Sequence, residues 1–455
     1  ARGKGRMGQD AAREWVTNLA KARRMLTADD PTLTLEMVTY RASQMAAELG
    51  GLGRMIPPAF LWYYQYGYKE RWNNPDNNDP SMKRTFDEYL NEAIERGWWD
   101  AGLAKTYRDV TPRVLFESGG NMLRRQRGGQ KLLLEKLWPK LKMIVSVDYR
   151  INTTGMYADY ILPAAQHYEK IGNSMPSVHH MNFVLIDKAV PPPDDAKNDF
   201  DIGIGLVRKI EERAAEREML QFTDRNGIVH DLKDISNKLT LDGALLDEET
   251  RVDEALKDDA AYGILPPDSS LEVARQKGAI RWTGWGLVGH GLGQASTIKP
   301  DEVHNPFRWH TEDKMPYPTL TRRAQFYIDH EWFLEAGEEL PVHKEPPTHG
   351  GPGRKFKMTS GHNRWSIHSM NMTNNIILNT HRGEPFMFIN DKDAAAKGFE
   401  NGEWVRVVSD VGSMQITVKI SPSVRPGQII VYNGFEPYMH RDWYSQADVE
   451  PGHVK

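Results

Sequence analysis

Hydrophobic and polar positions change their period along the chain, and each period predicts a different kind of element. Between residues 10 and 48, apolar positions recur every three or four residues, which predicts two amphipathic helices. From Arg113 onward, RVLFESGGN predicts a strand that ends in a glycine turn, GGQKLLLEKLWPKL a helix, KMIVSVDYR a second strand and YADYILPAA a third. Strand, helix and strand at this spacing predict a parallel crossover unit, followed by a long helix from about Asp199 to Met219.

The second half of the chain has a different pattern. Residues 222–345 are rich in glycine, proline and polar turns, and we expect extended insertions there rather than a packed repeat. From Lys355 onward, EWVRVVSD, MQITVKI and QIIVYNGF alternate hydrophobic and polar residues between turns, which predicts a small β-domain. DKDAAAKG predicts a helix within it that ends at Gly398. The fold class is therefore α/β with several domains.

Composition narrows the class of protein. At 455 residues and 52.0 kDa the chain exceeds one ordinary hydrophobic core, which predicts about two to four domains. A net charge of -4 gives no reason to expect nucleic acid as a partner. The sequence has no cysteine, so these residues form no disulfide and hold no thiolate-bound iron–sulfur cluster. No apolar run approaches the roughly 20 residues that cross a bilayer.

Two loops at the predicted carboxyl ends of the parallel strands are candidates for ligand binding, because ligands of open parallel sheets bind there. Gly119 and Gly120 follow the first strand, and glycines let backbone N–H groups approach an anion closely. Asp148 ends the next strand, where a carboxylate can accept two parallel hydrogen bonds from a guanine edge or from ribose hydroxyls. Thr153 and Thr154 follow, placed to cap a helix or to bond a phosphate. The pattern fits nucleotide binding and an ordinary turn and cap equally well.

Other motifs give weaker indications. GWGLVG, from Gly284 to Gly289, matches G-x-G-x-x-G, but the glycine-rich sequence after it predicts no helix, so we interpret it as a loop. His179, His180 and His290 lack the helical spacing and nearby carboxylate of a zinc site. Neither a G-x-S-x-G elbow nor a P-loop is found, which leaves hydrolase and phosphoryl-transfer functions without support.

The segment GHNRWSIHSMNMTNNIILNTHRGEP, residues 361–385, concentrates hydrogen-bond donors without a helical or strand period. Arg364 offers a planar donor fork, and His362, Trp365 and His368 offer ring N–H groups. Such a loop can hold a flat polar ligand, or it can join two domains. The chemistry of these residues alone favours neither interpretation.

Two long segments in the same order carry a resemblance to a known family. VDYRINTTGMYADYILPAAQHYEK and GHNRWSIHSMNMTNNIILNTHRGEP resemble the catalytic alpha subunit of the dimethyl sulfoxide reductase family of molybdopterin oxidoreductases. The branch they resemble holds nitrate, selenate and chlorate reductases, dimethylsulfide dehydrogenase and ethylbenzene dehydrogenase. The resemblance implies a parallel-sheet dinucleotide-binding domain and a C-terminal six-stranded β-barrel-like domain.

The same resemblance predicts four parts of the chain. They are a helical and aromatic-rich part of the central lobe (1–105), an α/β molybdopterin guanine dinucleotide-binding domain (106–225), a loop-rich insertion and linker (226–345), and a truncated C-terminal molybdopterin dinucleotide-binding β-barrel domain (346–455).

In that family two molybdopterin guanine dinucleotides hold one molybdenum, and each is bound by its own lobe. The residues that match the loops at the guanosine and phosphate end are Gly119, Gly120, Asn121, Asp148 and Thr153. The residues that match the C-terminal loop beside the pterins are Gly361, His362, Arg364, Trp365, His368 and Ser369. The resemblance implies that these donors pair with buried groups of the cofactor, each of which costs about 1–3 kcal/mol if left unpaired.

The resemblance also implies parts that these residues do not contain. The family's metal-ligating aspartate and its cysteine-rich segment with a [4Fe-4S] cluster are expected before Ala1, so we expect a C-terminal fragment that holds no metal ligand and is inactive alone. The expected partners are an iron–sulfur beta subunit and, in some relatives, a haem b gamma subunit. The expected location is the periplasm, reached through an upstream twin-arginine signal, with the cytoplasmic face of the inner membrane as the alternative.

The expected reaction is hydroxylation of a hydrocarbon or oxidation of dimethylsulfide, with water as the oxygen source. SMPSVHHMNFVLIDKAV and NTHRGEP resemble the dehydrogenases more than nitrate reductase. One alternative is an oxyanion reductase that acts on nitrate, selenate, chlorate or perchlorate. An alternative of another class is a non-catalytic, nucleotide-binding scaffold subunit.

Overall fold

The structure of the chain is a computed structural model. It describes residues 17, 20–21, 24–33, 38, 63–64, 68–98, 112–125, 129–174, 181–223, 227, 229–285, 295–298, 302–303, 305–317, 322–343, 356–362, 364, 373–409 and 412–441.

Helices and strands are numbered in chain order over these residues. The helices are α1 (Tyr68–Trp72), α2 (Phe86–Glu95), α3 (Met122–Arg125), α4 (Gly129–Lys136), α5 (Thr153–Met156), α6 (Asp199–Glu216), α7 (Ile235–Thr240), α8 (Glu248–Ala261), α9 (Leu271–Lys277), α10 (Arg308–Thr311), α11 (Glu331–Ala336), α12 (Asn375–Ile377) and α13 (Asp391–Lys397). The strands are β1 (Val114–Ser118), β2 (Met143–Asp148), β3 (Tyr160–Pro163), β4 (Gly172–Ser174), β5 (Asn182–Ile186), β6 (Gln221–Thr223), β7 (Val229–Asp231), β8 (Ala279–Arg281), β9 (Gly284–Trp285), β10 (Thr297–Ile298), β11 (Lys357–Thr359), β12 (Phe386–Ile389), β13 (Trp404–Ser409), β14 (Gly412–Ile420) and β15 (Gln428–Val431).

The chain divides into two compact units, each made of separate stretches of sequence. Unit 1 comprises Ala1–Asp109, His167–Pro191 and Ile204–Lys344, and unit 2 comprises Val110–Gln166, Pro192–Gly203 and Glu345–Lys455. The four continuous parts predicted from the resemblance stay a prediction. No helix among the described residues is long and apolar enough to span a membrane.

Unit 2 contains a three-stranded parallel sheet in the order β1-β2-β3. The central strand β2 is a continuous run in which Ile144 to Asp148 are all buried, which is typical of a parallel strand covered on both faces. Its register pairs Ser118 with Val147 and Asp148 with Pro163. The carboxyl ends of β1 and β2 therefore lie side by side, as the crossover pattern predicts.

Unit 2 also contains a five-stranded mixed sheet in the order β11-β15-β12-β14-β13. Alternate residues of β14 point into its core, where Met414, Ile416 and Val418 are fully buried. Helix α13 packs Ala394 against the same core and ends at Gly398, whose φ of 69° suits a residue without a Cβ. The predicted β-domain is confirmed with five strands among the described residues, and the sixth strand of a barrel stays a prediction.

Unit 1 has its main core around the antiparallel sheet β4-β5-β8. Phe183 of β5 packs with Leu256 of α8, Ala274 of α9 and Ile280 of β8, and all four are almost fully buried. A smaller cluster surrounds Tyr63 and Leu90, where α2 is the principal element. Helix α2 begins with a capping box, because Thr85 and Glu88 satisfy each other's backbone N–H groups.

The structure differs from the sequence prediction mainly between residues 222 and 345. Helices α7, α8 and α9 and a packed core lie in this region, so the expectation of extended insertions underestimated its regular structure. Gly284–Trp285 forms a strand paired with β10, and no helix follows it among the described residues before α10. The histidines at 179, 180 and 290, and most of the predicted helices of residues 10–48, lie outside the described residues.

Candidate functional site

The loop after β1 has a local reason for each of its two glycines. Gly119 adopts a φ of 62°, in the left-handed region, and donates its N–H to the carbonyl of Val147 at 2.9 Å. A Cβ on Gly120 would stand only 2.7 Å from Oε1 of Glu117. The fold alone therefore explains both glycines. A Cβ on Gly119 would meet no described atom within 4 Å, and this open space leaves room for a ligand.

Asp148 is the last residue of β2, and only one oxygen of its buried carboxylate has a hydrogen-bond partner among the described residues. Oδ2 accepts a hydrogen bond from Asn152 Nδ2 at 2.7 Å, whereas Oδ1 makes no hydrogen bond to any residue that the structure describes. Burial raises the pKa of Asp148, while the Asn152 hydrogen bond, the charge of Arg150 and the nearby backbone N–H groups of Tyr149 and Arg150 act in the opposite direction. An unpaired buried acceptor is costly, and a ligand that donates N–H groups would satisfy it.

Glu117 is a second buried carboxylate beside this loop. Its Oε1 accepts the backbone N–H of Met122 at 2.5 Å, and its Oε2 has no hydrogen-bond partner among the described residues. Burial raises the pKa of Glu117, the Met122 N–H and the nearby Thr154 hydroxyl oppose that shift, and the neighbouring charge of Asp148 adds to it. Two acceptor groups therefore lie at the carboxyl ends of adjacent parallel strands, where sequence reasoning found only Asp148.

Asn152 joins the two loops and caps α5. Its Oδ1 accepts from Gly155 N at 2.9 Å, and its Nδ2 donates both to Asp148 Oδ2 and to the carbonyl of Gly120, each at 2.7 Å. The cap predicted for Thr153 or Thr154 therefore belongs to Asn152, because only the residue before the helix can place its side chain on the N3 amide.

Asn121 and Thr153 are buried, and both bind the carboxylate of Glu436. Asn121 Nδ2 lies 2.9 Å from each oxygen of Glu436, and Thr153 donates its N–H at 3.1 Å and its hydroxyl at 2.5 Å. Glu436 follows β15 in the C-terminal part of the chain. Sequence reasoning missed it, because Glu436 lies five residues beyond the end of β15 and outside both segments that carry the family resemblance.

The predicted C-terminal loop is described only in part. Gly361 packs on the ring of Tyr432 and accepts a hydrogen bond from Asn433 N at 3.0 Å, and His362 and Arg364 are exposed. Gly361 and the Asn121 site thus contact the same short segment, residues 432–436, within unit 2. The three remaining predicted residues lie outside the described part of the chain: Trp365, His368 and Ser369.

The described residues contain no candidate metal site. Among the described residues, no group of three or more histidine, aspartate or glutamate side chains is arranged to hold a metal ion. The two unpaired carboxylate oxygens at the strand ends, Asp148 Oδ1 and Glu117 Oε2, can accept hydrogen bonds from the N–H or O–H groups of a ligand.

Two models of known protein families match the chain, and each match includes part of this site. "Molybdopterin oxidoreductase" matches residues 10–209, which include the β1 and β2 loops, and "Molydopterin dinucleotide binding domain" matches residues 356–449, which include Gly361 and Glu436. Together they cover more than half of the chain. The chain belongs to the molybdopterin oxidoreductase family.

Relatives within this family are alpha subunits of several enzymes. The chain is 33% identical to respiratory nitrate reductase subunit alpha of Haloferax mediterranei, covering 85% of this chain and 39% of that protein. It is 32% identical to perchlorate reductase subunit alpha of Dechloromonas aromatica (80% and 37%) and 29% identical to dimethylsulfide dehydrogenase subunit alpha of Rhodovulum sulfidophilum (87% and 41%). The chain therefore spans about two-fifths of the length of these relatives.

A solved structure of acetylene hydratase from Pelobacter acetylenicus is similar over 71% of this chain and 37% of that chain. The TM-score is 0.44 and the sequence identity 17%, values too low to establish a shared fold.

Proposed function

We propose that this chain is part of the catalytic alpha subunit of a molybdenum oxidoreductase, and that unit 2 binds the guanosine end of one molybdopterin guanine dinucleotide. The observation that carries the proposal is Asp148, a buried carboxylate with one unpaired oxygen at the carboxyl end of β2. Guanine presents adjacent N–H donors that such a carboxylate accepts in parallel, whereas adenine does not offer that pair.

The residues around Asp148 fit the same ligand. Gly119 and Gly120 form a loop with open space on the Cβ side of Gly119. Asn121 and Thr153 belong to the predicted set at the guanosine and phosphate end, and their side chains bind Glu436 next to this loop. When bound, the molybdenum cofactor supplies two-electron redox chemistry and oxygen-atom transfer, and this chain orients it and excludes water. The residues that we propose to lie beside the pterins, as the family resemblance implies, are Gly361, His362, Arg364, Trp365, His368 and Ser369.

The direction of the reaction is favoured by the relatives rather than by the site. The nitrate and perchlorate reductases named above support our proposal that the enzyme reduces an oxyanion, and the dimethylsulfide dehydrogenase supports oxidation of dimethylsulfide or a hydrocarbon as the second candidate. We further propose an iron–sulfur beta subunit as partner, a [4Fe-4S] cluster in the remainder of the alpha subunit and a periplasmic location.

A substrate panel on the full-length enzyme with its beta subunit tests this function. Reduced viologen oxidation is measured with nitrate, selenate, chlorate and perchlorate, and dye reduction with dimethylsulfide and ethylbenzene. We expect turnover with at least one oxyanion. Turnover confined to dimethylsulfide or the hydrocarbon would establish the second candidate, and an inactive protein with no molybdenum would support the scaffold alternative.

A further inference from the structure

Glu436 is a fully buried carboxylate in the segment that follows β15. It receives two contacts from the Asn121 amide and two hydrogen bonds from Thr153, and Arg150 Nη1 lies 3.9 Å from its Oε1. Burying a charge is unfavourable unless several donors converge on it. The four donor contacts here come from residues that are 315 and 283 positions away in sequence, so this carboxylate joins distant stretches of unit 2.

Asn121 is held at both ends of its side chain. While its Nδ2 faces Glu436, its Oδ1 accepts the N–H of Thr154 at 3.3 Å and the Thr154 hydroxyl at 3.1 Å. The amide therefore has a fixed orientation, with the nitrogen toward the C-terminal segment and the oxygen toward α5. Glu436, Asn121, Thr153 and Thr154 form one connected set of buried polar groups.

Two further contacts hold the same segment against the same loops. Arg124 Nε donates to the carbonyl of Phe435 at 2.6 Å, and the Tyr438 hydroxyl donates to the carbonyl of Ile151 at 3.2 Å. Both flank Glu436 in sequence, so the segment from Phe435 to Tyr438 lies along the carboxyl ends of β1 and β2. This segment therefore contacts residues of both loops.

The side chains of Asn121 and Thr153 donate to Glu436, although sequence reasoning assigned both to the dinucleotide. The carboxylate oxygens of this site without a hydrogen-bond partner among the described residues are Oδ1 of Asp148 and Oε2 of Glu117.

We propose that Glu436 is a positioning residue for the dinucleotide site: its carboxylate binds the side chains of Asn121 and Thr153 and so fixes the two loops that present Gly119, Gly120 and Asp148. The inference rests on the proposed function and assigns Asn121 and Thr153 an indirect role in it. No direct contact of Glu436 with the dinucleotide is required.

An exchange of acid and amide tests this arrangement with almost no change in shape. Glu436→Gln places an amide nitrogen opposite the Asn121 nitrogen, so that two donors face each other. Asn121→Asp places a second carboxylate opposite the first. In the double variant, the introduced glutamine amide donates to the introduced aspartate, its oxygen accepts from Thr153, and the aspartate's other oxygen still accepts from Thr154.

The measurements are bound GMP per chain after acid release, and the melting temperature, in the full-length protein. We expect each single variant to lower cofactor affinity by about tenfold or more, since each leaves buried groups unpaired. The double variant should recover both GMP content and melting temperature. Glu400→Gln, which changes an exposed glutamate of unit 2 outside the site, is the matched control and should behave as wild type.

Each other outcome has a distinct meaning. Recovery of the melting temperature without GMP would show that Asn121 contacts the dinucleotide directly, which overturns the inference. Recovery of neither would show that the Glu436 contacts do not position the loops, and single variants that keep full GMP content would show the same. A wild-type protein without GMP would overturn the proposed function itself, and the inference with it.

Discussion

Asp148 is the residue whose environment most directly limits what can bind. Its carboxylate is buried with a raised pKa, which means that the fold keeps an acceptor away from water at a cost in free energy. Asn152 satisfies only one of its oxygens. A carboxylate in such an environment, in a protein of this family, is best explained by a ligand that donates to the other oxygen.

Replacing Asp148 by alanine tests that explanation. Loss of hydrogen bonds to a charged group should weaken dinucleotide retention by about 1.5–3 kcal/mol, measured as GMP and molybdenum per chain in the purified full-length protein. Asp195→Ala, at an exposed aspartate of the same unit, is the control and should retain the cofactor. Equal GMP content in the two variants would contradict the role of Asp148 in guanine binding.

Residue types near the strand ends were predictable, but their partners were not. The glycine pair and Asp148 could be placed at the carboxyl ends of the strands because those ends are set by local hydrophobic pattern. Glu436 could not be assigned to Asn121 and Thr153, since that contact depends on how two distant stretches pack. The cap at Asn152 was predictable in principle, because asparagine is among the preferred residues at that position.

At the scale of elements, the segment after β15 links the five-stranded sheet to the parallel-sheet loops. It ends at His440, whose Nδ1 lies 3.3 Å from the carbonyl oxygen of Gln415 on β14. Burial lowers the pKa of His440 to about 4, and the nearby charge of Arg124 adds to this, while the contact with Gln415 opposes it. His440 is therefore a neutral ring inside the folded protein at neutral pH.

This burial predicts a pH dependence of stability. Between pH 6.5 and about 4 the unfolded chain binds a proton that folded His440 does not, so the free energy of unfolding falls as the pH is lowered. Below about pH 4 the burial of His440 lowers the free energy of unfolding by about 3 kcal/mol, and above pH 6.5 it has no such effect. The free energy of unfolding is measured with urea at about pH 7.5 and at about pH 5. The difference between the two values should be smaller in His440→Asn than in the wild type.

The control for that experiment is His167→Asn, which changes an exposed histidine and should leave the pH dependence of the wild type. Identical pH slopes for wild type and His440→Asn would show that His440 is not a buried neutral ring.

Helices and strands with a strong hydrophobic period were predicted well, and the helices within the predicted insertion, residues 226–345, were not. Helix α8 was missed, because its sequence EETRVDEALKDDAA is so rich in charge that its few buried positions, such as Leu256, do not form a visible apolar stripe. Its packing against β5 and β8 supplies the stability that its local pattern does not indicate. The elements that fall where the hydrophobic pattern placed them are β1, β2, β3, α6, α13 and β13 to β15.

At the scale of the molecule, each unit is assembled from stretches that are far apart in sequence. Sequence pattern gives continuous segments, so it could not reveal that residues 110–166 and 345–455 share one unit. The two family models match separate ranges of the sequence, and residues from both ranges come together in this unit. Asn121 and Thr153 from the first range contact Glu436 from the second. The dinucleotide site that we propose is accordingly formed by the assembled unit.

Molybdenum and acid-released GMP, measured together in the full-length alpha subunit purified from its native host, test most directly whether this chain helps to hold a molybdenum cofactor with two guanine dinucleotides. We predict one molybdenum and about two GMP per subunit, as expected when each of two lobes binds one dinucleotide. A subunit that contains neither molybdenum nor GMP would contradict this cofactor assignment and favour a scaffold that kept the fold without the cofactor.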